Sequence, residues 1–263
     1  MNPFSFLWRH RRLILQTTRS DIRARYTGSI LGLSWAVINP LLLLSVYIVL
    51  YVFILGVRLP GRPSGLEYTL VIFTGLIPWF GFAEATAWSV GAVVSNAALL
   101  HNTSFPAPVL PVKAVFSGLV GQAVGLVLLL GGLAWTGHFS AWWLLLPLAI
   151  VTQLLLSLGL GWILAALNVF VRDLGQAISA LLLFLMFVSP IAFTGEFVEG
   201  TRLRLLLYVN PISYLINLYR APLFYGQAPS VLDLTLGPLA ALVVFVLGFR
   251  FFVRIRPHLT DHV

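Results

Sequence analysis

Cysteine is absent from the 263 residues, which excludes disulfides, thiolate chemistry and cysteine-based metal sites. Charge is scarce too. Only 9% of residues are Asp, Glu, Lys or Arg, against about 25% in soluble globular domains. So small a charged fraction cannot cover a water-facing surface, and a soluble enzyme, a secreted scaffold and a disordered regulator are excluded. Lysine occurs once, as Lys113, and Ala114 follows it. A phosphate-binding loop needs Gly-Lys followed by Ser or Thr, so the chain carries no Walker motif and does not hydrolyse ATP alone. The five histidines form no His-Glu-x-x-His pair and have no clustered carboxylates. No serine stands in a Gly-x-Ser-x-Gly setting. Neither a catalytic residue nor a metal site is expected.

What is present is apolar: 59% of residues are hydrophobic and the mean hydropathy is +0.97. A helix crossing ~30 Å of hydrocarbon needs about 20 apolar residues. Six stretches satisfy this, near 35–57, 67–93, 109–136, 142–167, 175–194 and 231–253. The chain reads as an all-α integral membrane protein with six transmembrane helices. Lys and Arg then set its orientation. Six arginines precede the first stretch, and Lys113, Arg172, Arg250, Arg254 and Arg256 share their side, making eleven. The other side holds five. The positive-inside rule places both termini in the cytoplasm, in an inner (plasma) membrane. The net charge of +8 thus reports topology and attraction to anionic membrane lipids, not nucleic acid.

Residues 4–24 read as an amphipathic helix. Arg9, Arg12, Arg19 and Arg23 fall on one face, with Phe4, Leu7, Ile14 and Ile22 broadly opposite. Such a helix lies in the cytoplasmic interface; the plainer alternative is a basic tail that only fixes topology. Segment 195–230 is too apolar for a simple loop. Two short helices broken at Asn210-Pro211 fit it, either re-entrant or lying flat outside. Glu84 is the one acid well inside a stretch. It either lines a cavity or gate, or sits in a polar helix contact. Ser117, Gly121 and Gly125 recur every four residues, a small-residue stripe for close helix packing.

At the start of the first stretch the chain reads Arg23-Ala24-Arg25-Tyr26-Thr27-Gly28-Ser29-Ile30-Leu31-Gly32-Leu33-Ser34-Trp35, running on to Asn39-Pro40-Leu41. Phe105-Pro106 with Leu110-Pro111, then Asn168-Val169-Phe170-Val171-Arg172-Asp173, then Asn210-Pro211-Ile212-Ser213-Tyr214 with Tyr219-Arg220 follow in order. These stretches resemble the permease subunits of type 2 ABC transporters that export polysaccharides such as O-antigen, teichoic acid and related lipid-linked glycans.

The resemblance implies a homodimer with two separate ATPase subunits. ATP and Mg are bound by those partners, and no cofactor by this chain. It implies an interface helix (1–30), a six-span domain (31–256) with short external gate helices before the last span, and a cytoplasmic tail (257–263). ATPase coupling falls to Asn96, Leu99, Leu100, His101, Phe105 and Pro106. Here Leu100-His101-Asn102-Thr103-Ser104 lacks the Lys or Arg common in the family, so docking would rely on packing and neutral hydrogen bonds. The first and fifth spans would line the pore with Tyr47, Tyr51, Phe184 and Phe187, whose rings suit the apolar face of a sugar. Ordinary packing or interfacial anchoring is the alternative for these rings. Arg9, Arg12, Arg19, Arg23 and Arg25 would capture the lipid's pyrophosphate, and Glu84, Asn210, Pro211 and Tyr214 are gating candidates. Other cargo (capsule, drug or another small molecule) keeps the same family. A secondary transporter usually shows internal repeats or several buried ionisable groups, which are missing here. A membrane enzyme would need more than Glu196 and Glu199, three residues apart.

Overall fold

Lipid tails are as apolar as leucine, so membrane helices gain little by hiding apolar surface against each other. Close backbone approach and interhelical hydrogen bonds decide their arrangement instead. The computed structural model of the chain follows this logic. It describes residues 2–54, 65–102, 105–191, 207 and 209–262. Among these the secondary structure is helical, with no strand.

Four helices are long and apolar enough to cross a membrane: Leu66–Val90, Val109–Trp135, Ala141–Phe170 and Val231–Leu259. They overlap the second, third, fourth and sixth expected stretches. The first and fifth appear as shorter apolar helices, α3 (Trp35–Ile48) and α9 (Leu174–Val188). Helix α3 continues through Val49–Ile54 with widened turns. Residues 55–57 and 192–194 of those two stretches lie outside the described residues, as do 195–206 and 208 of the segment 195–230.

Helix α4 (Gly65–Val90) is the central element and the most buried of the four. Against it pack α6 (Val109–Gly118), α7 (Val120–Trp135), α8 (Leu146–Phe170), α9 and α10 (Pro211–Arg220). The small-residue stripe of the third span partly explains its fit. A side chain added at Gly118 would meet the Ala85 backbone, and one at Gly125 would meet Ile77. Gly121 instead faces the Glu84 carboxylate and Pro40. Helix α8 has its most extensive contact with α11 (Val231–His262), where Gly159 lies against the Val244 and Phe245 backbone and Gly248 against Gly159.

The amphipathic N-terminus is two helices rather than one. Helix α1 (Pro3–Arg9) ends at His10, whose ψ of 12° breaks the run, and α2 (Arg11–Tyr26) starts there. The two halves serve different partners, which a single straight rod could not do. In α1, Phe4 and Phe6 meet Phe245 and Phe249 of α11. Helix α2 packs on α6. Past α2 the chain reverses through Gly28 and Gly32, with φ of 87° and 49°, a region L side chains rarely adopt. Ser29 in this loop accepts a hydrogen bond from the indole of Trp35 (2.9 Å), fixing where α3 begins.

Candidate functional site

Three polar groupings stand out. The first lies where α2, α4 and α6 converge. Lys113 Nζ donates to Asn96 Oδ1 at 2.7 Å and lies 3.7 Å from Asp21 Oδ1. Asp21 also pairs with Arg25 (Nε–Oδ2, 3.2 Å), and the Arg25 guanidinium stacks 3.5 Å from the ring centre of Trp88. The chain's single lysine thus joins α2, the turn Val94–Asn96 after α4, and the start of the Val109–Trp135 helix. Its side chain is mostly buried, at 11% exposure, so the pairing is only weakly screened by water.

The second is a cavity of about 320 Å³ between α3, α4 and the third span. Trp35, Phe80 and Trp88 supply aromatic wall, and Asn39, Glu84 and Gln122 supply polar groups. Ser117 also lines it, with a buried hydroxyl that has no hydrogen-bond partner among the described residues. Glu84 is therefore a cavity-lining acid, lying about a turn and a half from the Val90 end of α4. Aromatic faces beside amides and a carboxylate form a surface suited to polyhydroxylated compounds.

The third grouping fastens α10 into the bundle. Tyr219 Oη donates to Gln153 Oε1 at 2.7 Å, and Gln153 and Gln122 exchange amide hydrogen bonds at 2.6 and 2.8 Å. Gln153 Nε2 also donates to the Pro78 carbonyl (3.1 Å). A methyl group at Gly81 would overlap the Gln122 amide, so glycine there makes room for it. Next to Tyr219, Arg220 is fully buried. Its Nη2 donates to the Ile191 carbonyl (2.9 Å) and its Nε to Thr74 Oγ1 (3.3 Å). Pro78 has no N–H, so the Thr74 carbonyl lacks its usual helical donor.

The expected site residues distribute as follows. Asn96 turns inward onto Lys113 and the Ala92 carbonyl, whereas Leu99 is exposed. Phe105 and Pro106 are half-buried, and Phe105 packs against the cluster containing Val109 and Trp162. The side chains of Leu100 and His101 lie outside the described set, as does that of Tyr51. Phe184 and Phe187 stand on the outer face of α9, 62% and 73% exposed, while Tyr47 is half-buried against the cluster around α4. Asn210 caps α10 by accepting from the Ile212 amide (3.0 Å) and donates to Ser189 Oγ (2.8 Å). Pro211 is the first residue of α10, and Tyr214 is half-buried on it. Arg9, Arg12, Arg19 and Arg23 are exposed, and Arg25 is engaged with Asp21 and Trp88. Sequence reasoning passed over Asp21, Gln122 and Gln153, and used Lys113 only for topology and the missing phosphate loop. The available signal was polar residues, amides included, within or beside apolar helices.

Comparison with known proteins gives a consistent result. Residues 12–224 match the ABC-2 type transporter family. An O-antigen export system permease protein from Myxococcus xanthus is 32% identical over 244 residues, spanning 92% of this chain and 90% of that protein. A Klebsiella pneumoniae protein of the same name is 27% identical over 247 residues (93% and 92%). A polysialic acid transport protein from Escherichia coli is 25% identical over 236 residues (88% and 89%).

Proposed function

The chain belongs to the ABC-2 type transporter family, and from that premise we propose that it exports lipid-linked polysaccharide of the O-antigen or teichoic type. It is a permease subunit. With no phosphate loop of its own, it takes its energy from a separate ATPase subunit that binds ATP and Mg. The observation that carries the cargo class is end-to-end likeness to proteins named for O-antigen export. The aromatic and polar lining of the cavity at Glu84 is chemistry that suits such a cargo.

In this reading two copies form the pore and two ATPases attach at the cytoplasmic side. The α3 and α9 helices complete a six-span domain over 31–256 in the inner membrane. Residues 1–30 form the interface element and 257–263 the cytoplasmic tail, with both termini in the cytoplasm. Helix α10 belongs to the external gate, with Asn210, Pro211 and Tyr214. The segment containing Leu99, Leu100, His101, Phe105 and Pro106 receives the movement of the ATPases. Arg9 of α1 and Arg12, Arg19, Arg23 and Arg25 of α2 draw the lipid pyrophosphate to the pore mouth. Phe184, Phe187, Tyr47 and Tyr51 offer the advancing glycan weak, repeated contacts.

A cell lacking this chain, but retaining the ATPase and glycan synthesis, tests the reading. Lipid-linked glycan should accumulate inside and vanish from the surface, and return when the chain is restored. Undisturbed surface glycan, with a defect in drug or small-molecule efflux instead, would overturn the cargo. Capsule is the second reading, favoured by the likeness to the polysialic acid transport protein. Chemical analysis of the accumulated glycan separates the two.

A further inference from the structure

Beside the interface helix runs a groove of about 800 Å³, within the size range of small-molecule sites. Its floor is apolar: buried Ile14 and half-buried Ile22 of α2 line it with Phe116 of α6, and Leu15, 69% exposed, flanks them. Its rim is cationic, with Arg11, Arg19 and Arg23 among the lining residues. Arg11 is partly committed, since it donates to the Trp8 carbonyl at 2.9 Å and stacks on the Trp8 ring. Arg19 and Arg23 are exposed, and their guanidinium groups make no hydrogen bond or ion pair among the described residues; the one bond at Arg23 is to its backbone carbonyl, from the Thr27 hydroxyl. Between floor and rim, the Thr18 hydroxyl is buried with no hydrogen-bond partner among those residues.

We propose that this groove is a site for one anionic phospholipid of the surrounding bilayer. An acyl chain would lie along Ile14, Leu15 and Phe116, and the phosphate would be held by Arg19 and Arg23 with the Thr18 hydroxyl. The division of chemistry argues for a lipid. A peptide would bring backbone N–H and C=O groups onto the floor, where Thr18 offers the one side-chain partner. A fatty chain brings none, and its head carries the charge that the rim complements. Resident lipid is also present at the interface in great excess over any cargo carrier. The site rests on α2 lying in the interface, as proposed above, but not on the identity of the cargo. It takes Arg19 and Arg23 out of the set proposed above to draw the pyrophosphate and assigns them to holding α2 in the leaflet, leaving the exposed Arg9 and Arg12 for an incoming lipid head.

Native mass spectrometry of the purified full chain tests this without transport. Phosphatidylglycerol, phosphatidylcholine and a polyprenyl phosphate are offered in turn and in competition. One phosphatidylglycerol should be retained in preference to phosphatidylcholine. Arg19→Gln with Arg23→Gln should weaken retention about thirtyfold, the product of two interfacial charges. Arg9→Gln with Arg12→Gln removes equal charge away from the groove and should leave retention near the original. Thr18→Trp puts an indole between the apolar floor and the cationic rim with every charge intact and should weaken retention. Equal losses from both arginine pairs would show a diffuse field and overturn the site. Displacement of phosphatidylglycerol by polyprenyl phosphate would overturn the occupant and make this a cargo subsite. Equal retention of phosphatidylcholine would overturn both.

Discussion

Lys113 holds Asn96 through a 2.7 Å hydrogen bond from Nζ to Oδ1, and with it the turn that leads into the proposed coupling segment. On its other side Lys113 faces Asp21 of α2. The proposed coupling segment and the proposed interface helix are therefore tied at one ammonium group. Lys113→Met should cost about 1.5–3 kcal/mol of stability, the range for a hydrogen bond to a charged group. In the assembled transporter it should lower glycan exported per ATP hydrolysed while ATPase activity persists. Lys113→Arg should recover part of that ratio. Loss of both activities in proportion, with no change in the ratio, would reduce Lys113 to a purely structural role.

Gly81→Ala should be severe for so small a change, because the added methyl overlaps the Gln122 amide. Displacing that amide breaks its bonds to Gln153 and Tyr219. Interhelical hydrogen bonds in membranes are each worth ~0.6 kcal/mol on average and up to ~1.7, so a loss of about 1–3 kcal/mol is expected. Thermal unfolding in detergent measures it. Adding Gln122→Ala should restore part of the stability by clearing the space. A double variant no better than Gly81→Ala alone would refute the steric argument.

Arg220→Lys should not be tolerated as a conservative change. The guanidinium reaches the Ile191 carbonyl and Thr74 Oγ1 from two different nitrogens, which one ammonium on a shorter fork cannot reproduce. Gly75 leaves the space: a methyl group there would sit 2.8 Å from Nη2. Both Arg220→Lys and Gly75→Val are expected to loosen α10, seen as faster proteolysis at the external segment. Unchanged proteolysis in both would mean these contacts do not fasten the helix.

Single cysteines at Tyr47, Phe184 and Phe187 can be labelled without background, since the chain has none of its own. If Phe184 and Phe187 face a water-filled pore, a soluble thiol reagent should modify both in the assembled complex. Tyr47, half-buried, should react more slowly. Protection of all three in every nucleotide state would point to lipid or packing and overturn the pore assignment.

Much of the architecture is legible in hydropathy because a span announces itself by length and the scarcity of charge. Four of the six stretches appear as spanning helices by that criterion. The bend at His10 is not legible. Arginine periodicity runs on across it, and only the separate demands of α11 on Phe4 and Phe6, and of α6 on α2, require it. The polar interior is hidden for a different reason. Gln122 and Gln153 lie 31 residues apart in sequence and Tyr219 a further 66 away, so no local pattern links them. Lys113 reads as isolated until folding brings Asp21 to it. Glu84 was visible as an acid in an apolar helix, and the cavity beside it supplies the setting that composition could not.

The bonds between α4 and its later partners have a consequence for synthesis. Thr74 waits for Arg220, 146 residues downstream, and the Pro78 carbonyl for Gln153, 75 residues downstream. At roughly 5–20 residues per second, Arg220 emerges about 7–30 s after Thr74. During that interval α4 sits in the bilayer with an unfilled notch at Gly75; the notch at Gly81 is filled earlier, once Gln122 has emerged. A ribosome stalled before the last third of the message leaves a helix that is membrane-inserted yet visibly unfinished, a difference that a quality-control protease could recognise.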